Sequence, residues 1–136
     1  MNVSAAMKRS DVPTHSLAGG WGRNVAALQS ALDGLSLRQK TIAANISNVN
    51  TPGYQAKRVQ FEEALGRSVA QGGAVQGAGH VQATTQRSLE PTRLDGNNVN
   101  LDTETLSNID TVLRYQFATQ AMNSELTAVR AAFRTN

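Results

Sequence analysis

Two carboxylate pairs, two histidines and one glycine-rich run are the places where this 136-residue sequence has residue types suited to chemistry. Glu62-Glu63 and Asp102/Glu104 supply the carboxylates that acid–base catalysis needs. Adjacent residues on a helix point apart, however, and Asp102/Glu104 falls at a predicted helix start, where acids complement the helix dipole. His15 and His80 are far apart in segments expected to be flexible, which argues against a shared metal site or a general base. With no cysteine, the sequence offers no disulfide, thiolate zinc site or cysteine nucleophile. Gly72-Gly73-Ala74-Val75-Gln76-Gly77 has the composition of a phosphate loop, but no strand precedes it and no Gly-Lys-Ser/Thr follows. Asn45-Ile46-Ser47 fits a glycosylation acceptor, yet it sits inside a predicted helix. The reading is therefore of a protein that is not an enzyme, with no catalytic residues, no cofactor and no metal.

The elements that would hold any site are predominantly helical. Val25, Leu28, Leu32, Leu35, Gln39, Ile42, Ile46 and Val49 alternate in steps of three and four, a heptad seam in which only Gln39 is polar. Ala, Leu, Gln, Arg and Lys fill the other faces between Arg23 and Asn48, with Gly34 the one residue against a helix of about 39 Å. Asn50-Thr51-Pro52-Gly53 must end it, because Pro52 pushes its predecessor out of the helical region and Gly53 permits a positive φ. A second helix is expected from Asp102 or Thr103, with Val112, Tyr115, Thr119, Met122, Leu126, Val129 and Phe133 as its seam. Leu106, Ile109, Leu113 and Phe117 form a second apolar strip beside that seam. One partner helix covers one strip, so the other should face a different molecule.

Between the helices, Tyr54 to Phe61 alternates in part and reads as a short extended segment. Gly66 to Gly79 is too poor in apolar residues to offset its ordering entropy and reads as a flexible linker. Asp95-Gly96-Asn97-Asn98 is a turn signal. The fold class that follows is all-α: long N- and C-terminal helices paired as a coiled-coil hairpin, with an irregular, partly extended or disordered connection. The divisions are 1–22, a flexible extension; 23–50, the N-terminal helix; 51–65, turn and extended segment; 66–101, linker and turn; and 102–136, the C-terminal helix. So small a set of seam residues leaves the isolated hairpin marginal, and both helices are expected to become firm on assembly.

Composition narrows the partners. The net charge is +3, but Lys and Arg are scattered from Lys8 to Arg134 with no cluster longer than Lys57-Arg58, so nucleic acid is not expected as a partner. No run of about eighteen apolar residues exists, and no transmembrane segment is expected. Lys8-Arg9 is followed by no apolar stretch, so Met1 to Gly22 does not read as a cleaved secretory signal.

The string Ile42-Ala-Ala-Asn-Ile-Ser-Asn-Val-Asn-Thr-Pro-Gly-Tyr54, directly after a heptad helix, closely resembles the signature of flagellar rod and hook proteins. Asn45, Asn48, Asn50, Thr51, Pro52, Gly53 and Tyr54 occupy the motif positions. Gln55 to Phe61, Asp95 to Asp102 and Leu113-Arg-Tyr-Gln116 make the chain similar to the proximal-rod type of that family, over roughly residues 24 to 134. The resemblance implies a structural rod subunit of the bacterial flagellar basal body, exported without a cleaved signal peptide through the flagellar export apparatus and assembled in the periplasm. Its partners would be other rod proteins, the basal-body adaptor and membrane ring, and copies of itself. Contacts between subunits are then expected at Leu28, Leu32, Leu35, Ile42, Ile46, Leu113, Tyr115, Met122, Leu126, Val129 and Phe133. Tyr54 is open to two readings, as an aromatic resting on its own helix or as a contact to a neighbouring subunit. Other readings of the whole are a cytoplasmic helical adaptor or chaperone and another rod subunit of the same family; a peptidoglycan hydrolase would need a convergent acid or nucleophile that the sequence does not offer.

Overall fold

A computed structural model describes residues 14–72 and 80–134, with side chains from Gly20 onward. The expected N-terminal extension falls largely outside the described residues, as does the part of the expected linker from Gly73 to Gly79. Two 34-residue helices, α1 (Thr14–Ser47) and α3 (Leu101–Arg134), pair along their length. Asn24 meets Glu125 near one end and Asn45 meets Glu104 near the other, so the pair is antiparallel and the facing residue numbers total 149 at both ends. The molecule is thus mostly helical with its terminal helices paired, as expected. α1 begins earlier than the Arg23 start expected, running back through Gly19, Gly20 and Gly22. At that register α3 reaches far enough to accompany it, and tertiary packing outweighs the low helix propensity of glycine.

The connection is more regular than the sequence reading. Its extended segment is there as β1 (Lys57–Gln60), with Val59 and Phe61 turned into the core. β1 is followed by α2 (Glu62–Ala70) and then by β2 (Thr84–Arg87). β2 pairs antiparallel with β1, with Lys57 opposite Arg87 and Gln60 opposite Thr84. α2 occupies the start of the segment read as a glycine-rich linker, and the physical reason lies in Glu62 and Glu63. They stand in its first turn, where the dipole favours them, and the Glu62 carboxylate meets the Arg38 guanidinium of α1. The chain returns from α2 to α1 through the Val81 N–H, which donates to Ser30 Oγ at 2.9 Å.

The core lies midway along the hairpin, where this connection covers it: Leu35, Val59, Phe61 and Ala118 are buried together, with Ala31, Leu32, Leu65 and Ala83 packed around them. Gly34 is what admits the aromatic ring. A Cβ there would stand 2.5 Å from Phe61 Cδ1, so the residue that weakened the helix reading is the socket for the largest core side chain. Arg38 lies over that ring, 4.9 Å from its centroid.

The face that α3 turns to α1 differs from the expected seam. Its buried residues are Glu104, Thr111 and Ala118, one per heptad and small or polar. Val112, Met122 and Val129 lie half-buried on the flank, whereas Tyr115, Leu126 and Phe133 are exposed. Small residues let two helix axes approach closely, and the bulky apolar ones are left to the sides. Among the described residues no helix is long and apolar enough to cross a membrane.

Candidate functional site: a clamped turn and an uncovered helix face

α1 ends at Ser47 in a turn that the following residues hold shut. Gly53 takes φ +73° and donates its N–H to the Asp95 carbonyl at 2.8 Å. Gly96, at φ +84°, lies against it so closely that a Cβ would stand 3.1 Å from Gly53 Cα. Two positive-φ glycines back to back therefore join the turn after α1 to the turn before α3.

Three fully or nearly fully buried asparagines do the rest. Asn45 donates from Nδ2 to the Lys57 carbonyl at 2.8 Å and to Glu104 Oε1 at 3.0 Å. Its Oδ1 accepts from the Lys57 N–H at 3.0 Å and from the Tyr54 hydroxyl at 3.1 Å. One side-chain amide thus pairs with both backbone groups of Lys57, as a neighbouring strand would, and ties α1, β1 and α3 to one point. Asn97 donates to the carbonyls of Asn48 and Thr51, both at 2.8 Å, and accepts from the Val99 N–H. Asn98 accepts from the Ala56 N–H at 2.6 Å. Arg93 adds a guanidinium on the carbonyls of Val49 and Val99. At the start of α3, Asn100 Oδ1 accepts from the N–H groups of Asp102 and Thr103, an N-cap.

This geometry settles where the motif side chains point. Asn45, Asn48, Thr51 and Tyr54 bond within the chain, and Asn50 and Pro52 are exposed. Tyr54 rests on its own helix through Asn45, and Val59 and Phe61 belong to the core. Asn97 and Asn98 were legible only as turn residues, and their clamping amides had no sequence signal beyond the Asp-Gly-Asn-Asn string.

The carboxylates do not converge. Glu62 pairs with Arg38, Glu63 with Arg67, and Asp102 is exposed. Glu104 is buried, and Asn45 is its donor. Burial pushes its carboxyl above the ordinary value, opposed by the Asn45 hydrogen bond and the charge of Arg58 and assisted by Glu90. For Glu62, burial pushes upward too, but the hydrogen bond and charge of Arg38 and nearby backbone N–H groups outweigh it, and its carboxyl is lowered. His80 Nε2 lies 3.1 Å from Asp33 Oδ2, while His15 lies in α1 with no side chain described. Among the described residues no group of three or more His, Asp or Glu is placed to hold a metal ion.

What the arrangement offers is surface. Leu106, Ile109, Leu113 and Phe117 run along α3 at 69%, 54%, 51% and 73% exposure. Of the residues expected at subunit contacts, Leu35 and Ile42 are buried inside this chain. Leu28, Leu32, Met122 and Val129 are half-buried, and Ile46, Leu113, Tyr115, Leu126 and Phe133 are exposed.

Residues 26–55, the end of α1 and the turn, match the family model described as flagella basal body rod protein. The flagellar basal body rod protein FlgB of Salmonella typhimurium is 30% identical over 115 residues, covering 72% of this chain and 83% of its own length. The Escherichia coli protein of the same name is 32% identical over 118 residues, with the same shares covered. That of Bacillus subtilis is 28% identical over 112 residues, 76% of this chain and 87% of its own.

Proposed function

The chain belongs to the flagellar basal body rod protein family and is of the FlgB type, and from that premise we propose that it is a subunit of the proximal rod, polymerising through its terminal helices to couple the motor ring to the distal rod and transmit torque. As a member of that family it is a structural rod protein of the flagellar basal body, associated with other rod and basal-body components. Assembly in the periplasm, arrival through the flagellar export apparatus without a cleaved signal, and contact with the adaptor and membrane ring are further parts of the proposal.

The observation that supports polymerisation is the uncovered strip on α3. Four large apolar side chains in three-four spacing form a contiguous face of the kind that marks a protein contact. Tyr115, Leu126 and Phe133 extend the exposed apolar surface along the same helix. The clamped turn supports the mechanical half of the reading. Torque needs subunits that do not flex at their bends, and the bend here is spanned by three buried asparagines and a guanidinium.

A strain lacking the chain tests the proposal. Rods, hooks and filaments should be lost, and the chain itself should be recovered from wild-type basal bodies; normal flagella in the deletion strain would overturn the reading. Complementation with Phe117→Asp separates fold from assembly. The side chain is largely in water, so stability should change by no more than about 0.5 kcal/mol. Circular dichroism and urea titration should match the unaltered chain while swimming is abolished.

A further inference from the structure

The sequence contains two Asp-Gly pairs, Asp33-Gly34 and Asp95-Gly96, and no Asn-Gly. Each glycine stands where the fold has no room for a side chain: a Cβ on Gly34 would meet the Phe61 ring at 2.5 Å, and one on Gly96 would meet Gly53 Cα at 3.1 Å. The pairing has a chemical consequence. In a freely moving Asp-Gly unit the glycine nitrogen can lose its proton and attack the aspartate Cγ, because no side chain on the glycine hinders the approach. The N–Cγ bond forms, a carboxyl oxygen leaves as water, and the ring so closed is a succinimide. Water then opens it, and when the bond broken is the one between the nitrogen and the former main-chain carbonyl, the product is isoaspartate. One water leaves and one returns, so the change needs no other reactant.

The two pairs are held in different ways. Gly34 lies inside α1, where its N–H bonds the carbonyl one helical turn back and Asp33 takes helical dihedrals. Nothing short of unwinding α1 frees that nitrogen. Asp95-Gly96 lies in no helix or strand, and the clamp alone holds it. The Gly96 N–H donates to the Arg93 carbonyl at 2.9 Å, and the Asp95 carbonyl accepts from the Gly53 N–H at 2.8 Å. Asp95 Oδ1 accepts from the Asn97 N–H at 3.0 Å, with Arg93 Nε 3.8 Å away, and the Gln55 side-chain amide donates to the Gly96 carbonyl. The proton that must leave, the carboxylate that must be attacked and both carbonyls are thus engaged, so the ring does not close while the clamp is shut.

We propose that Asp95-Gly96 is a site of spontaneous isomerisation gated by the clamp: it is protected in the closed turn, it is modified when the turn is open, and the modified chain cannot close the turn again. Isoaspartate routes the main chain through the former side chain and so adds one carbon between Asp95 Cα and the Gly96 nitrogen. The carbonyl that accepted the Gly53 N–H becomes a free carboxylate. With Gly96 already so close to Gly53 that a Cβ would stand 3.1 Å from its Cα, the turn has no slack to take up the added atom. A chain that stays unfolded for long is thereby barred from the clamped state, a limit on its useful lifetime that goes beyond the rod reading and does not rest on it.

The second Asp-Gly pair makes the test internally controlled. The full chain is incubated in warm, neutral buffer with and without guanidinium chloride, and isoaspartate at each site is read by peptide mapping with endoproteinase Asp-N, which does not cut before it. In denaturant both sites should convert. In buffer alone Asp95 should convert at least about tenfold more slowly than in denaturant, and Asp33 more slowly still. Asn97→Ala, which opens the clamp, and Gln55→Ala, which removes only the amide on the Gly96 carbonyl, should raise conversion at Asp95 several-fold and leave Asp33 unchanged in whichever variant keeps its helix content by circular dichroism. An Asp33→Glu chain, in which Asp95-Gly96 is the one Asp-Gly pair left, should show a lowered urea midpoint after isomerisation in denaturant and return to buffer. Equal rates at Asp95 with and without denaturant would overturn the proposal. So would clamp variants that retain their helices and raise both sites alike or neither, or an isomerised chain as stable as the untreated one.

Discussion

Asn45 has the most concentrated role of any residue in the molecule. It is wholly buried, and its amide uses two donor hydrogens and two acceptances on four groups from three segments. Replacement by alanine takes the partner from both part-buried backbone groups of Lys57 and removes the buried hydrogen bond to the Glu104 carboxylate. Buried polar groups left without partners cost about 1–3 kcal/mol each, so Asn45→Ala should lower the unfolding free energy by about 3 kcal/mol or more in urea titration. Tyr54→Phe removes one of the four bonds and should cost about 1 kcal/mol.

Glu104 makes a prediction in pH. Its folded carboxyl titrates above the ordinary value of 4.5, so between the two values the folded chain binds more protons than the unfolded one. Stability contributed by Glu104 therefore falls as pH rises from 4.5 through its folded value. Glu104→Gln should flatten that part of the profile in a series of urea midpoints. Glu62 acts the other way: the stability from its pairing with Arg38 is present above 4.5 and is lost as pH falls through its lowered value. The two should be read apart by including Glu62→Gln in the same series. Among single residues, the motif asparagines were legible in the sequence as a group but not in their roles. Nothing in a one-dimensional string shows that an acid at a helix start, where solvent exposure is the usual outcome, will be carried under the amide of Asn45.

At the scale of elements, α1 was the most legible, because its heptad seam coincides with the face it buries at Leu35 and Ile42. For α3 the seam and the buried face part company. Periodicity identifies where large apolar side chains lie, and in α3 these lie mostly outside the hairpin, while Glu104, Thr111 and Ala118 carry no apolar signal. β2 was invisible for a related reason: Thr84 to Arg87 are all exposed, so no alternation marks the strand, and its partner alone defines it. α2 had a signal, two acids ahead of Ala64 and Leu65, that the neighbouring glycines obscured. Gly34 is the test of how these elements depend on one another. Gly34→Ala improves local helix propensity by about 1 kcal/mol. It also drives a methyl into the Phe61 ring, and overpacking costs about 1–3 kcal/mol. The net should be destabilising, and pairing it with Phe61→Leu, which makes room, should restore stability; thermal unfolding of the three chains would check the sign.

For the molecule as a whole, cover is uneven. Among the described residues, the connection packs over the middle of the hairpin and the turn end, whereas α1 before Arg23 and α3 beyond Glu125 are paired only with each other. Amide exchange in the purified chain should therefore be slowest from Ala31 to Ser47 and from Glu104 to Ala118, and faster by at least tenfold in the last two turns of α3. If assembly covers the helices, that difference should shrink in isolated basal bodies. Uniform protection in the free chain would contradict this account and with it the expectation that the helices become firm on assembly.

The constant total of the facing residue numbers along α1 and α3 has a consequence for inheritance. A chain whose helices meet at a clamped turn and run in step to their far ends cannot change length on one side alone. One added turn in α1 would leave Asn45 and Glu104 facing each other but strand the opposite end without a companion. Insertions and deletions in these helices should accordingly occur in matched pairs, equidistant from the turn.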